Sequence, residues 1–201
     1  MANAGIMAHP PGLTKDGYEL QFGTDHMGHA LLVKLLTPLL LKTAKRPESK
    51  DVRMVWDTSL GHKGHNPKGI EFSKLKTDHS DIVPIYGLQG ALGPWVRYAQ
   101  SKLANLLYAR AHAKRYPQIT SVSIHPGVSA TGLVGGLTWA QKAFVYTTSY
   151  MMMIPAEIQV EKGTFYMPVG KKGTTTARGN DADLEQKLWE WTEEELKSWQ
   201  L

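Results

Sequence analysis

The residues of this chain best suited to chemistry are a tyrosine and a lysine four positions apart, Tyr98 and Lys102 in the run Tyr-Ala-Gln-Ser-Lys. Side chains at positions i and i+4 of a helix lie on one face, so a helix would hold the phenol beside the ammonium. A nearby positive charge lowers the pKa of a phenol and makes it a proton donor or acceptor near neutral pH. The spacing alone also fits an exposed tyrosine beside a solvated lysine.

Helical and extended patterns alternate around this pair. Apolar residues at helical spacing predict a helix over residues 98–116, with its inner face formed by Leu103, Leu106, Leu107 and Ala111. The apolar runs 52–56 and 119–124 predict buried strands before and after this helix. This alternation predicts an α/β fold with a parallel sheet. Thr58 and Ser59 then follow the carboxyl end of the first strand, where ligands bind in such sheets.

Further elements complete this reading. A long helix is predicted to open at Asp16 and to end at residues 45–50, with an apolar stripe of Phe22, Met27, Leu31, Leu35 and Leu39. A final amphipathic helix over residues 183–200 is predicted to bury Leu184, Leu188, Trp191 and Leu196. Residues 138–150 favour a helix. Residues 61–94, rich in Gly, Pro and His, are predicted to run over the surface.

The composition narrows the class of protein. The 201 residues are enough for one domain with a real core, and the absence of cysteine excludes disulfides and thiolate metal sites. The net charge of +5 is modest, and no block of Lys and Arg is interleaved with aromatic residues. Nucleic-acid binding is therefore not expected.

Two His-x-x-His pairs could suggest a metal site. They are His26 with His29 and His62 with His65, and neither pair has an evident third ligand. We therefore predict no metal, and we interpret the first pair as helix packing and the second as part of an exposed loop.

No membrane-targeting signal is recognisable in the sequence. The first residues lack a basic segment followed by an apolar one, which argues against a signal peptide. The longest strongly apolar, charge-free stretch, residues 143–156, has 14 residues and is too short to cross a bilayer. Its Met-rich end, residues 151–154, is interpreted as a pocket wall or core. The expectation is a cytoplasmic protein without a transmembrane segment.

Five short motifs follow one another in a fixed order. They are Asn3-Ala-Gly5, Asp25-His-Met-Gly-His29, Thr58-Ser59, the Tyr98–Lys102 run and His125-Pro-Gly127. Together they strongly resemble the short-chain dehydrogenase/reductase family. Residues 16–22 and 98–105 look most like its retinol-dehydrogenase-like branch. The resemblance covers residues 1–135 well and returns loosely at 163–170 and in the Trp-rich tail. It implies a Rossmann-type, doubly wound parallel sheet.

The resemblance also implies roles for particular residues. Tyr98 would exchange a proton with the substrate oxygen, while Lys102 would lower its pKa and hold the nicotinamide ribose. Ser59 would hydrogen-bond the same substrate oxygen, with its neighbour Thr58 as the alternative. Tyr98 and Lys102 would also contact the cofactor, together with Asn3, Ser129 and Thr131, and Asp25 would be the fourth catalytic residue. Hydride would pass directly between cofactor and substrate carbon, so this chemistry needs no metal.

The chain departs from the family pattern in three places. The Asn3 motif stands at the start, and the resemblance therefore implies that residues 1–201 are a single, partial domain without the first strands and the Gly-rich phosphate loop of the Rossmann-type sheet. An exposed interior sheet edge is then expected. Asp25 replaces the family's catalytic Asn, and its negative charge near Lys102 is expected to raise the pKa of Tyr98. Residues 155–163 look shortened where the family has a helix over the substrate.

The resemblance therefore implies an oxidoreductase that interconverts an apolar alcohol and its ketone or aldehyde, in lipid or secondary metabolism. NADP is the expected cofactor, and NAD is the alternative. Members of the family pair their two long helices with those of a second subunit, which implies a homodimer unless both helices only cover their own sheet. The alternative function is a catalytically inactive remnant that binds an intact paralogue.

Overall fold

The structure, a computed structural model, describes residues 1–48, 51–82, 92–127, 160–168 and 170–199. Its helices are α1 (Leu20–Ala44), α2 (Gly93–Arg115) and α3 (Ala182–Glu195). Its strands are β1 (Arg53–Asp57), β2 (Thr120–Ile124), β3 (Phe165–Met167) and β4 (Lys171–Lys172). Three of the sequence predictions, the helix over residues 138–150, the apolar stretch 143–156 and its Met-rich end, lie wholly or mostly outside the described residues.

The strands form one sheet in the order β1-β2-β3-β4. The first three are parallel, with Arg53 opposite Thr120 and Ser123 opposite Phe165, and β4 turns back antiparallel to β3. The predicted α/β fold with a parallel sheet is confirmed. On the other edge of β1, Ala2 forms one parallel bridge with Trp56. The N-terminal residues therefore run beside β1 in the same direction, and Asn3 emerges at its carboxyl end.

Helix α2 connects β1 to β2 and packs on the sheet. It begins at Gly93, earlier than predicted, with Pro94 in its first turn, where the fixed backbone of proline suits a helix start. The predicted inner face is confirmed, because Leu103, Leu106 and Leu107 are completely buried. This burial fixes the rotation of α2, and therefore the direction of the polar residues on its remaining faces.

Helix α3 covers the outer side of α2. Trp189 stacks on Tyr108 with ring centroids 4.6 Å apart, and the Arg115 guanidinium lies 4.3 Å above the Trp189 ring. The Tyr108 hydroxyl donates to Glu193 at 2.8 Å. Residues of α3 thus pack against α2 within the same chain, and the homodimer implied by the resemblance stays a prediction.

Helix α1 faces the core differently from the prediction. Its first turn is capped by the Glu19 carboxylate, which accepts from the backbone N–H groups of Gln21 and Phe22, so it begins at Leu20 rather than Asp16. Beyond Met27 the buried positions are His29, Ala30, Val33 and Thr37, whereas the predicted Leu39 is 57% exposed. The leucine-rich run is apolar on nearly every face, so its periodicity does not define the buried one.

The length and composition of α1 meet the criterion for a membrane span, which core helices also meet. Among the described residues it is the one helix that does so.

Residues 61–82 do not run over the surface as predicted. They form two short 3₁₀ turns, Leu60–Gly64 and Phe72–Lys74, and bury Ile70 and Leu75 in the same core as α2 and α3. The low apolar content of this segment concealed the few side chains that anchor it.

Candidate active site

Tyr98 and Lys102 lie one turn apart in the first half of α2. The Lys102 Nζ atom is 5.5 Å from the centroid of the Tyr98 ring. Both residues are nearly buried, with Lys102 3% exposed and Tyr98 6% exposed. The helix predicted from the spacing thus brings the ammonium to the phenol. Nζ forms no hydrogen bond or ion pair with another residue in the described part of the chain. A nearly buried ammonium without a partner is suited to hold a ligand oxygen.

Ser59 joins this pair from the end of β1. Its Oγ atom accepts from the backbone N–H of Gly61 at 3.0 Å and caps the 3₁₀ turn that follows. A Cβ atom at Gly61 would meet Ser59 Oγ at 3.2 Å and Tyr98 Cε1 at 3.1 Å, so the serine and the tyrosine face the same narrow space. Glycine is required there because a methyl group would fill the gap between them.

Thr58 does not provide the alternative hydroxyl that the sequence suggested. Its side chain is buried and donates to the backbone carbonyl of Lys102 at 2.6 Å. Alternation along the chain turns successive side chains to opposite sides, so Thr58 faces α2 while Ser59 faces the open space. Thr58 therefore attaches β1 to the helix turn that carries the lysine.

The environment of the Tyr98 phenol raises its pKa above the usual range. Burial is the largest cause, and the negative charges of Asp25 and Asp57 add to it, whereas hydrogen bonding by Ser59 opposes it. The phenol therefore holds its proton more firmly than an exposed tyrosine does. It is equipped to donate a proton rather than to accept one.

Asp25 lies completely buried beside this centre. It sits in a π-helical turn, Gly23–Met27, inside α1, a distortion that often marks functional sites. Its Oδ1 accepts from the Ile6 backbone N–H at 2.8 Å, and its Oδ2 lies 2.8 Å from the Ser101 hydroxyl. Burial raises its pKa more than Lys102 and these hydrogen bonds lower it.

Asn105 connects the segments that carry the acidic residues. Its Nδ2 donates to the backbone carbonyls of Asp25 and Asp57, each at 3.0 Å. Its Oδ1 accepts from His26 Nδ1 at 3.1 Å, so the remaining ring nitrogen accepts from Thr192 at 3.2 Å. This amide fixes the π-turn against β1, one helical turn after Lys102. Its place inside the apolar inner face of α2 was the signal that could have identified it.

Asp57 is the second residue that the sequence analysis missed. It ends β1 between buried Trp56 and the Thr58–Ser59 pair, and burial raises its pKa to about 6, against the opposing influence of Lys102. Its Oδ1 atom is buried and has no hydrogen-bond partner among the described residues. The sequence contained a signal for Asp57, because a carboxylate at the end of a buried apolar strand is costly to bury unless it has a partner.

The predicted cofactor contacts are only partly described. Asn3 is exposed at the carboxyl end of the strand position beside β1, and Ser129 and Thr131 lie outside the described residues. Gly5 passes so close to the site that a Cβ atom there would meet Asp25 Oδ1 at 2.9 Å and Lys102 Nζ at 3.4 Å. The unpartnered ammonium and this bare stretch of backbone fit a hydroxyl-bearing ribose.

The histidine pairs have structural partners. His29 Nδ1 bonds the Asp25 carbonyl at 2.8 Å, in keeping with the predicted helix packing. The second pair is buried rather than exposed, because His62 and His65 bond the hydroxyls of Thr175 and Thr176 at 2.8 and 2.7 Å. Within the described ranges, no three His, Cys, Asp or Glu side chains are grouped as metal ligands would be.

The fold and this site agree with what comparisons find. No protein-family model matches the chain. An uncharacterized oxidoreductase of Schizosaccharomyces pombe is 35% identical over 94% of this chain and 58% of its own length. A short-chain dehydrogenase/reductase of Aspergillus calidoustus is 29% identical over 99% of this chain and 68% of its own length. A solved structure of an uncharacterized Mycobacterium paratuberculosis protein superposes with a TM-score of 0.64 and 29% identity, covering 98% of this chain and 65% of that one.

The structure thus combines a parallel α/β sheet with a Tyr-Lys pair and a serine at the carboxyl end of β1. The chain belongs to the short-chain dehydrogenase/reductase family. It spans between 58% and 68% of the length of the two relatives described above. The finer assignment to the retinol-dehydrogenase-like branch stays a prediction.

Proposed function

We propose that this protein is an NADP-dependent oxidoreductase that interconverts an apolar alcohol and its ketone or aldehyde. The observation that carries the proposal is the meeting of Tyr98, Lys102 and Ser59 at the carboxyl end of β1. A protonated phenol, a second hydroxyl and a nearly buried ammonium are the groups needed to bind a carbonyl oxygen and protonate it.

In the reducing direction, Tyr98 donates its hydroxyl proton to the substrate oxygen. Ser59 hydrogen-bonds the same oxygen and holds it beside the phenol, since both side chains face one narrow space. Lys102 holds the ribose of the cofactor through its Nζ atom, and its positive charge opposes the acidic residues as the phenol loses its proton. The nicotinamide, when bound, supplies the hydride.

The finer parts of the proposal rest on the resemblance. NADP is preferred over NAD, and the substrate is a small apolar alcohol or carbonyl compound of lipid or secondary metabolism, in the cytoplasm. A homodimer would form through α1, whose Leu32, Leu36 and Leu39 are 46%, 38% and 57% exposed. These positions recur at helical spacing and could pack against a second copy.

The first test is a titration of the purified chain with NADPH, and with NADH in parallel, followed by nicotinamide fluorescence. We expect saturable binding, tighter for NADPH. Lys102→Met should weaken it about 10- to 100-fold, the value of a hydrogen bond to a charged group. Lys114→Met is the matched control on the same helix, because Lys114 pairs with Glu185 at 2.8 Å, away from the site.

Each outcome bears on the proposal. Equal losses in the two lysine variants would contradict the role of Lys102. Failure of the folded wild-type chain to bind either nucleotide would overturn the oxidoreductase proposal. It would favour the alternative, a remnant that binds an intact paralogue, and the edge of β1 beside Ala2 would be the surface to examine.

A further inference from the structure

The hydrogen atoms around Ser101 are too few for an ionised Asp25. The Ser101 hydroxyl has two neighbours at 2.8 Å, the Asp25 Oδ2 atom and the backbone carbonyl of Tyr98. A hydroxyl carries one hydrogen, and a carbonyl can only accept. One hydrogen shared between two acceptors makes two weak bonds, whereas both contacts are full hydrogen bonds when Ser101 donates to the Tyr98 carbonyl and Asp25 donates to Ser101. The second bond requires a proton on Asp25.

The rest of the Asp25 environment agrees with a neutral acid. The side chain is completely buried, and its Oδ1 has one N–H donor, from Ile6. No cation in the described part of the chain lies within 4 Å of its oxygens. An ionised carboxylate in such a place would have too few donors, and burying an unpaired charge is costly. Burial also raises the pKa of this carboxyl above its usual value.

Asp57 is the second carboxyl near Lys102. It is half-buried at the end of β1, and the charge of Lys102 opposes the burial that raises its pKa. The Asn105 side chain donates to the backbone carbonyls of Asp57 and Asp25. Both carboxyl groups therefore lie beside the turn of α2 that carries Lys102. The groups that face Asp25 from the surrounding elements are Lys102, Tyr98, Asp57, His9 and Glu19.

We propose that Asp25 is a neutral carboxylic acid at pH 7 that donates its Oδ2 hydrogen to Ser101. Asp25 then behaves like the neutral asparagine side chain that the family resemblance implies at this position, because its Oδ1 accepts a hydrogen bond and its Oδ2–H donates one. Its role is to position the π-turn and the Ser101 turn of α2. Only this catalytic consequence rests on the proposed function, because the charge assignment concerns the chain alone.

The test is the infrared spectrum of the wild-type chain at pH 7 in the region of the carboxylic-acid carbonyl stretch. We expect an acid band that shifts on exchange into deuterated water, is lost in Asp25→Asn and is retained in Asp57→Asn. The asparagine at position 25 can donate to Ser101 and accept from Ile6, so this variant should fold. Ser101→Ala gives a second identification, because loss of the acceptor should shift the frequency of the band.

The outcomes separate the two proposals. Absence of an acid band at pH 7 would overturn the charge assignment, and so would a band lost in Asp57→Asn but kept in Asp25→Asn. A band that does not move in Ser101→Ala would remove the donor role. The spectrum needs no cofactor, so failure of nucleotide binding would not affect this result, and a missing acid band would leave the proposed function standing.

Discussion

The two halves of α2 bury their polar side chains in opposite ways. In the second half, the Tyr108 hydroxyl donates to Glu193 at 2.8 Å and the exposed Lys114 pairs with Glu185, and His112 Nδ1 is the one buried polar side-chain atom left without a partner among the described residues. In the first half, Lys102 Nζ lacks a partner among the described residues and the pKa of Tyr98 is raised by burial and by two acidic neighbours. The second half of α2 therefore forms a structural contact with α3 around Tyr108, which we call the seam. The first half carries the candidate active site around Tyr98 and Lys102, which we call the centre.

This difference separates structure from function on one element. Polar groups whose hydrogen bonds are complete stabilise the fold, whereas groups left without partners are those a ligand can complete. Substitutions of the same kind in the two halves should therefore have opposite signatures, one on turnover and the other on stability.

The largest expected effect is that of Tyr98→Phe on turnover. Removal of the proton donor should lower kcat by about 10³-fold, within the range of general acid catalysis. Cofactor affinity should stay nearly unchanged, because Lys102 and the backbone near Gly5 are retained. Steady-state kinetics with NADPH and an apolar ketone measure this. Turnover within about tenfold of wild type would contradict the assignment of Tyr98 as the proton donor.

The same substitution in the other half, Tyr108→Phe, should act on stability. It removes a hydrogen bond to the Glu193 carboxylate, which is worth about 1.5 to 3 kcal/mol when the acceptor is charged. The free energy of unfolding, measured by urea titration, should fall by this amount while cofactor affinity stays unchanged. If Tyr108→Phe instead abolished turnover in a folded chain, the separation between the two halves would be wrong.

Much of the seam and the centre could be predicted from the sequence. The leucines of α2, together with Leu184 and Leu188 of α3 and Leu196 just after it, occur at helical spacing and are buried. Trp191, which belongs to the same predicted stripe, is only partly buried. The meeting of Ser59 with Tyr98 follows from the rule that ligands bind at the carboxyl ends of parallel strands. These predictions succeed because they depend on local periodicity and on topology.

The errors share a different cause. The burial of His62 and His65 depends on hydroxyls of Thr175 and Thr176, more than 100 residues away, which no local pattern encodes. The buried face of α1 is undetermined by its leucine-rich run, and the contacts of Ala30 and Val33 decide it. Asp57 was missed because the strand pattern directs attention to apolar residues rather than to the polar residue that ends them.

A smaller effect is expected from His112, which lies between α1 and α2. Its Nε2 is 3.3 Å from the Thr37 hydroxyl, and burial lowers its pKa to about 4. Between pH 6.5 and 4 the unfolded chain binds a proton that the folded chain excludes, so stability falls as the pH falls. His112→Gln should reduce the loss between pH 7 and pH 5 by about 1 to 2 kcal/mol.

Urea titrations at the two pH values measure this difference. The exposed His9 provides the matched control, since His9→Gln removes an imidazole that is solvated in both states. An equal reduction in both variants would show that burial of His112 is not the source of the acid sensitivity.

The smallest expected effect is a stabilisation, because Asp57→Asn should raise the free energy of unfolding. Burial raises the pKa of Asp57 to about 6, so the folded chain holds a proton more tightly than the unfolded chain does. Wild-type stability should therefore decline as the pH rises through this window, whereas that of the asparagine variant should not. The full shift corresponds to about 3 kcal/mol, and partial exposure of the carboxyl reduces the expected gain to about 1 kcal/mol at pH 7.

The gain should vanish at pH 4, where the acid is protonated in the wild-type chain and resembles the amide. Asp183→Asn on exposed α3 surface is the control for a general loss of negative charge. A stabilisation that persists at pH 4, or one that the control reproduces, would contradict the conclusion that the buried charge of Asp57 destabilises the fold. A gain that grows between pH 4 and pH 6 and then levels off would show that the buried Asp57 carboxylate, which lies beside the centre, costs the fold stability.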